Sequence, residues 1–319
     1  MVPSLTTVAC ALLLAVGLGP LAAQNPPAAS APASGPAETA TGPAAATQGT
    51  SWLAEILKAH KIKPLLEPIP GGEIDWTNGV VYGVGIGKMR AMTSKELLMA
   101  QRAARLVALR NAVLLEAGIR TGPGGRFKDV REGQIDFEAI VNDFQEVQSD
   151  YDVKTNSAVS KVKIPLYGPK GLISLRGLGI GRAGKLWAWP SSAAPAGGTQ
   201  VIIIDARGTT FSPCLLPELV TESGETVFGP SSPPRPDLSA RAMAAYVGLD
   251  GATPVAELRP SAAEGQAGDA IIVKPARATD RNELVLSQEE LKKLEPARPS
   301  LDSGKVLIVV GSTRKADGK

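Results

Sequence analysis

Hydrophobic and polar positions follow two different periods around the middle of the first half of the chain. Residues 79–89, GVVYGVGIGKM, are β-branched with Gly at every second position, a period-two pattern that predicts a strand. After a turn, SKELLMAQRAARLVALRNAVLLEAG consists of strong helix formers with no Pro and no internal Gly, which predicts a long helix from Ser94. Ser94 is placed to cap its start, and Gly118 stands where a left-handed C-terminal residue is expected. Leu97, Ala100, Ala104, Val107, Ala108, Asn111 and Leu115 fall on one stripe of that helix. Gly83, Gly85 and Gly87 leave one face of the strand without side chains. The small-residue stripe and the bare face match, so the helix backbone is expected to lie directly on the strand.

The neighbouring patterns supply the partners of this pair. SWLAEILKAHK, from Ser51, places Trp52, Ile56 and Ala59 at helical spacing with Leu53 and Leu57 beside them. Thr77-Asn78-Gly79 reads as a hairpin turn joining GEID to the glycine strand, with Trp76 packed or at the rim. DFQEVQSDYDVKTNSAVSKVKIPLYG reads as a hairpin turning at Thr155-Asn156-Ser157, whereas residues 126–143 fit no single pattern. Beyond residue 199, TQVIIIDARG, two short strands around Glu222-Ser223-Gly224-Glu225, GDAIIVKPARA and KVLIVVGS read as strands. Residues 240–249 fit a short strand or helix around Tyr246, and Ser287 with Glu290 forms a capping box.

The ends and joints have a different texture. Residues 8–23, VACALLLAVGLGPLAA, are apolar and end in small residues, as in a secretory signal cleaved after Ala23. Residues 1–7 carry no Lys or Arg, which leaves a mis-assigned start or an uncleaved anchor as the other readings; a lipoprotein reading would acylate Cys10. Residues 24–50 are rich in Pro, Ala, Ser, Thr and Gly and lack the apolar content for a core. The expected organisation is a signal at 1–23, a linker at 24–50 and an α+β domain at 51–175. A linker at 176–198 with Trp187 and Trp189, a strand-rich domain at 199–312 and a tail at 313–319 follow.

The expected fold class is therefore α+β: an antiparallel sheet packed on one long helix, followed by a second, strand-rich domain. Composition narrows the chemistry. Aromatic residues make up 4% of the chain against 44% hydrophobic overall, so the cores must be built from Val, Ile, Leu and Ala. The net charge of +3 is too small to argue for nucleic acid. A single His, His60, removes Ser-His-Asp and Cys-His catalysis and any multi-His metal site, and it is read as capping the first helix. With Cys10 in the apolar run, Cys214 is left alone and is read as a small buried residue. The glycine strand fails both nucleotide fingerprints: Lys88 stands where a dinucleotide loop needs Gly, and Met89 follows where a P-loop needs Ser or Thr. No cofactor or metal is expected.

The glycine-rich Val80–Gly87 strand, Ala100-x-x-Ala103-Ala104-x-x-Val107-Ala108-x-x-Asn111 and Val162-Lys163-Ile164-Pro165-Leu166-Tyr167-Gly168 together resemble one family domain. It is the domain shared by the twenty-kilodalton surface lipoproteins of bacteria and the amino-terminal part of the flagellar assembly protein FlgT. The similarity spans residues 79–175, and the C-terminal run resembles a module found beside that domain in exported proteins. The chain departs from the family in that no lipobox Cys follows the apolar run. The resemblance implies a non-enzymatic module of the cell envelope, located in the periplasm or at a membrane periphery. Envelope proteins or a cell-wall polymer are the expected partners, and a homo-oligomer is compatible. The candidate interaction residues are Arg102, Arg105 and Arg110 on the long helix and the pair Asp205 and Arg207. The alternatives are a flagellar or secretion-system accessory, and an envelope glycan hydrolase using Asp205 with Glu218, Glu222 or Glu225 nearby.

Overall fold

In a computed structural model, residues 51–116, 118–126, 144–168, 171–172, 200–230, 242–258 and 270–312 are described. All of them belong to the compact unit Pro43–Lys319. The apolar run 8–23, linker 24–50, Cys10, linker 176–198 with Trp187 and Trp189, and tail 313–319 lie outside the described residues.

The N-terminal half is the expected antiparallel sheet under one long helix. Strands β1 (Leu66–Ile69), β2 (Gly72–Asp75), β3 (Val80–Lys88), β6 (Gln145–Asp152) and β7 (Ser157–Pro165) form a five-stranded sheet in the order β1-β2-β3-β7-β6. Between them come the helix α2 (Ser94–Glu116) and a two-stranded hairpin, β4 (Arg120–Gly122) with β5 (Gly125–Arg126). Both expected turns are present: Gly79 and Asn156 take positive φ of 63° and 49°. The Asn78 amide donates to Asp75 Oδ1 at 2.9 Å, an Asx-type turn.

The glycines of β3 meet α2 backbone to backbone. A Cβ on Gly87 would lie 2.0 Å from the Ala100 carbonyl oxygen, one on Gly85 2.0 Å from Ala104 O, and one on Gly83 2.2 Å from Ala108 O. Register with β7 grades the floor beneath the helix. Gly87 pairs with Ala158, Gly85 with Ser160, Gly83 with Val162 and Val81 with Ile164. The side chains therefore grow from methyl-sized to full Val and Ile along the sheet. On the helix the sequence runs from Ala100 through Ala104 and Ala108 to Leu115. Side-chain volume thus increases on both sides toward the C-terminal end of the helix, where the main core begins.

Two local expectations shift. The N-cap is Thr93 rather than Ser94: Thr93 Oγ1 accepts from Glu96 N at 3.2 Å, and Glu96 reaches back to Arg90 N at 3.3 Å. Val107 is 39% exposed and Ala112 is buried in its place, so the covered side runs through Ala100, Ala104, Ala108, Ala112 and Leu115, turned around the helix away from Val107. Asn111 turns its amide onto Val84 O at 2.8 Å.

The C-terminal half holds two further sheets. Strands β8 (Ile202–Asp205), β11 (Ala245–Leu249), β12 (Ile271–Val273) and β15 (Val306–Gly311) form a parallel sheet in the order β11-β15-β8-β12. Strands β9 (Leu219–Thr221), β10 (Thr226–Phe228), β13 (Arg277–Ala278) and β14 (Leu284–Leu286) form a mixed sheet in the order β10-β9-β14-β13. Tyr246 lies in a strand, and GDAIIVKPARA divides into β12 and β13. The helices α3 (Gln288–Leu294) and α4 (Arg298–Asp302) lead into β15. Ser287 caps α3 as expected, but the Glu290 carboxylate turns to Lys274 N (3.0 Å) and Lys293 Nζ (2.6 Å).

The apolar runs of β8 and β15 are covered on both faces, as parallel strands require. The cover on one side is α1 (Ser51–Ala59), whose Leu53 and Ile56 pack with Ile203, Val247, Leu307 and Val309, while Ala59 faces solvent. The helix that opens the first expected domain thus covers the sheet of the second. The opposite face joins the core of the antiparallel half. There the buried Trp76 ring meets Tyr246 edge-on at 5.9 Å, and Phe211 stacks on Tyr246 at 6.5 Å. Thr77 Oγ1 donates to Tyr246 O at 2.7 Å, and Leu215 and Leu216 amides donate to the carbonyls of Arg120 and Thr121. Arg120 is held between the halves, donating from Nε to Pro213 O at 2.8 Å, pairing with Glu67 and lying over Trp76. One continuous core therefore spans both halves.

Candidate functional site

The carboxyl ends of parallel strands are where open sheets place functional groups, and Asp205 closes β8 at that end. Its carboxylate is fully engaged by Arg207 two residues on. Arg207 Nε donates to Oδ1 at 2.8 Å and Nη2 to Oδ2 at 2.9 Å, a bidentate pair, and the Arg207 amide adds a contact at 3.2 Å. Nη1 of Arg207 donates to the carbonyls of Asp250 and Thr253, each at 2.7 Å. Asp250 in turn accepts from Thr253 N (2.9 Å) and Oγ1 (2.6 Å), closing the loop after β11. Burial pushes the Asp205 carboxyl up, but the Arg207 hydrogen bonds and charge, with Lys274, hold it below the usual carboxylate range. The pair that the sequence nominated is real, and its chemistry is that of a clasp between the ends of β8 and β11.

The three glutamates named beside Asp205 belong to the mixed sheet. Glu222 and Glu225 flank the β9–β10 turn at Gly224 (φ 82°). Glu218 precedes β9, and the carboxylate acting on it is Glu283, at the start of β14. Burial raises the Glu218 carboxyl to about 6, with Glu283 adding to the rise and Arg281 opposing it. Glu283 accepts from Thr279 Oγ1 at 2.9 Å and lies 3.6 Å from Arg281. The Glu218–Glu283 relation was not legible from spacing, since parallel pairing of β9 with β14 creates it. Among the described residues no group of His, Cys, Asp and Glu is arranged to hold a metal ion.

Cys214 is buried, and burial pushes its thiol up to about 12 while a hydrogen bond with the Tyr246 hydroxyl pulls the other way. Tyr246 OH donates to Cys214 O at 2.7 Å. Its role is packing.

The arginines of α2 separate into two kinds. Arg105 lies 4.8 Å over the Phe144 ring and 3.9 Å from Glu146, tied toward the edge strand β6. Arg102 and Arg110 are exposed on the outer side of the helix. Around them stand Leu98, Met99, Leu106 and Leu114, all exposed by about half or more, and Leu106 by 68%. The helix carries no Asp or Glu between Glu96 and Glu116. The apolar members of this face were not expected from the sequence, because they interleave with arginines and break no helical rule.

No described helix is long and apolar enough to cross a membrane. No curated protein matches the chain. Residues 201–312, from the first residues before β8 through β15, match the family model described as the second domain of Treponema pallidum Tp0624.

Proposed function

We propose that this chain is a non-enzymatic binding or scaffolding protein of the bacterial cell envelope. The observation that carries the reading is the outer side of α2, where large apolar side chains stand in solvent among arginines while the inner side is packed on glycines. Contiguous exposed apolar surface on a well-packed element is the mark of an interaction surface. The resemblance of β3, α2 and β7 to the surface-lipoprotein and FlgT domain, and the apolar run 8–23, support export. A hydrolase built on Asp205 would need a carboxylate able to exchange protons, and both oxygens of Asp205 accept from Arg207 instead.

The test is fractionation of cells expressing the full chain, with a photo-crosslinking residue in place of Leu106. The expected result is a periplasmic or membrane-peripheral pool with crosslinks to envelope components. Crosslinks to flagellar or secretion-system proteins would specify an accessory role within the same reading. A cytosolic pool that retains residues 1–23 would overturn it.

A further inference from the structure

We propose that the outer face of α2 docks on an anionic lipid surface. Leu98, Met99, Leu106 and Leu114 would enter the headgroup layer, while Arg102 and Arg110 meet lipid phosphates. The inference rests on the envelope reading above and names the occupant of that surface.

The argument is one of charge and shape. A face of apolar side chains, arginines and the exposed Lys95, with no acid between Glu96 and Glu116, is complementary to a negatively charged partner. Glu96 at its start is turned back to accept from the Arg90 amide. The face is the convex side of a 23-residue helix, about 34 Å of straight cylinder. A convex face needs a matched groove in a protein partner but only a yielding plane in a bilayer. Leu and Met are flexible enough to fill a fluid boundary, and guanidinium groups take phosphate oxygens bidentately while their stems stay among the chains. Met92, just before the helix, is a further exposed apolar side chain, at 74%. The inner side of the helix is fixed by the glycine contacts, so docking asks for no rearrangement of the fold.

The test is vesicle flotation of the full chain with phosphatidylcholine vesicles, with and without phosphatidylglycerol. Binding is expected only with the anionic lipid and should weaken as salt rises. Leu106→Glu should lower the vesicle-bound fraction about tenfold and Arg110→Glu about fivefold. Lys292→Glu, the same charge change on exposed α3, should match the parent. All three positions are solvent-exposed, and circular dichroism verifies folding. Equal binding to both vesicle types, or variants indistinguishable from the parent, overturns the inference; the latter also covers binding through residues 8–23, which every variant shares. A solution dimer crosslinked through Leu106 overturns it as well, by assigning the face to a second copy. The envelope reading stands or falls separately, on where fractionation finds the chain.

Discussion

Replacing Gly85 with Ala tests the contact on which the N-terminal half is built. The added Cβ would lie 2.0 Å from Ala104 O, 2.2 Å from Ala108 N and 2.9 Å from Ala108 Cα. Ordinary contact begins near 3.4 Å, so the helix backbone would have to retreat by about 1.4 Å. No side chain can rotate to relieve this, since every clashing atom is main chain. Retreat also opens space beside Ala100, Ala104, Ala108 and Ala112, all buried. Overpacking by one methyl group costs about 1–3 kcal/mol where neighbours can adjust; a rigid helix puts this case at about 3 kcal/mol. Reduced freedom of the unfolded chain returns about 0.5–1 kcal/mol. The expected net loss is about 2–2.5 kcal/mol, seen as a fall in melting temperature of roughly 5–10 °C for a chain of this size. Urea unfolding followed by circular dichroism should show a lower midpoint with an unchanged slope. Ile86→Ala, on the opposite face and 57% exposed, should stay within about 0.5 kcal/mol of the parent. Adding Ala108→Gly to Gly85→Ala should give no rescue, because the backbone rather than the Ala108 methyl is struck. A Gly85→Ala protein as stable as Ile86→Ala, or one rescued by Ala108→Gly, would refute the close-approach account.

Arg207→Ala should destabilise by about 3 kcal/mol, since it leaves a part-buried carboxylate unpaired and two carbonyls without their donor. Because the Asp205 carboxyl is held low in the folded state, its contribution is present above the ordinary carboxylate range and lost as pH falls through the folded value. Urea midpoints across that acid range should therefore slope less in the variant than in the parent. Glu218 has the opposite sign: raised to about 6, it favours the fold when protonated, and that contribution fades as pH rises from the unfolded value toward 7. Glu218→Gln should gain about 1 kcal/mol at neutral pH, after allowing for solvent screening, and flatten melting temperature against pH over that window. Cys214, with its thiol pushed up to about 12 and fully buried, should resist a thiol-specific disulfide reagent in the native chain and react only at the rate of unfolding. Rapid labelling of folded protein would contradict its packing role.

What could be read from the sequence was local. Alternating glycines opposite an alanine stripe announce a strand–helix contact because both halves of the pattern lie within one short stretch, with periods of two and 3.6. Thr77-Asn78-Gly79, Thr155-Asn156-Ser157 and the Ser287 cap were legible for the same reason: their chemistry is settled by neighbours a few residues away. Asp205 with Arg207 belongs here too, a pair two residues apart whose geometry follows from the strand end.

Only the tertiary structure decided the rest. The order β11-β15-β8-β12 depends on which apolar run lies beside which, and runs such as VIIID and VLIVV are interchangeable by composition. That order gives Leu53 and Ile56 of α1 a surface far along the chain and brings Trp76 against Tyr246, while the pairing of β9 with β14 in the mixed sheet sets Glu218 by Glu283. In the antiparallel sheet, the pairing of β6 beside β7 sorts the arginines of α2, since Arg105 is claimed by Phe144 and Glu146 while Arg102 and Arg110 are not drawn to β6. Periodicity says which residues share a face of an element. Which face is covered depends on the closure of long loops around a shared core, and that information is not carried by any one segment of the chain.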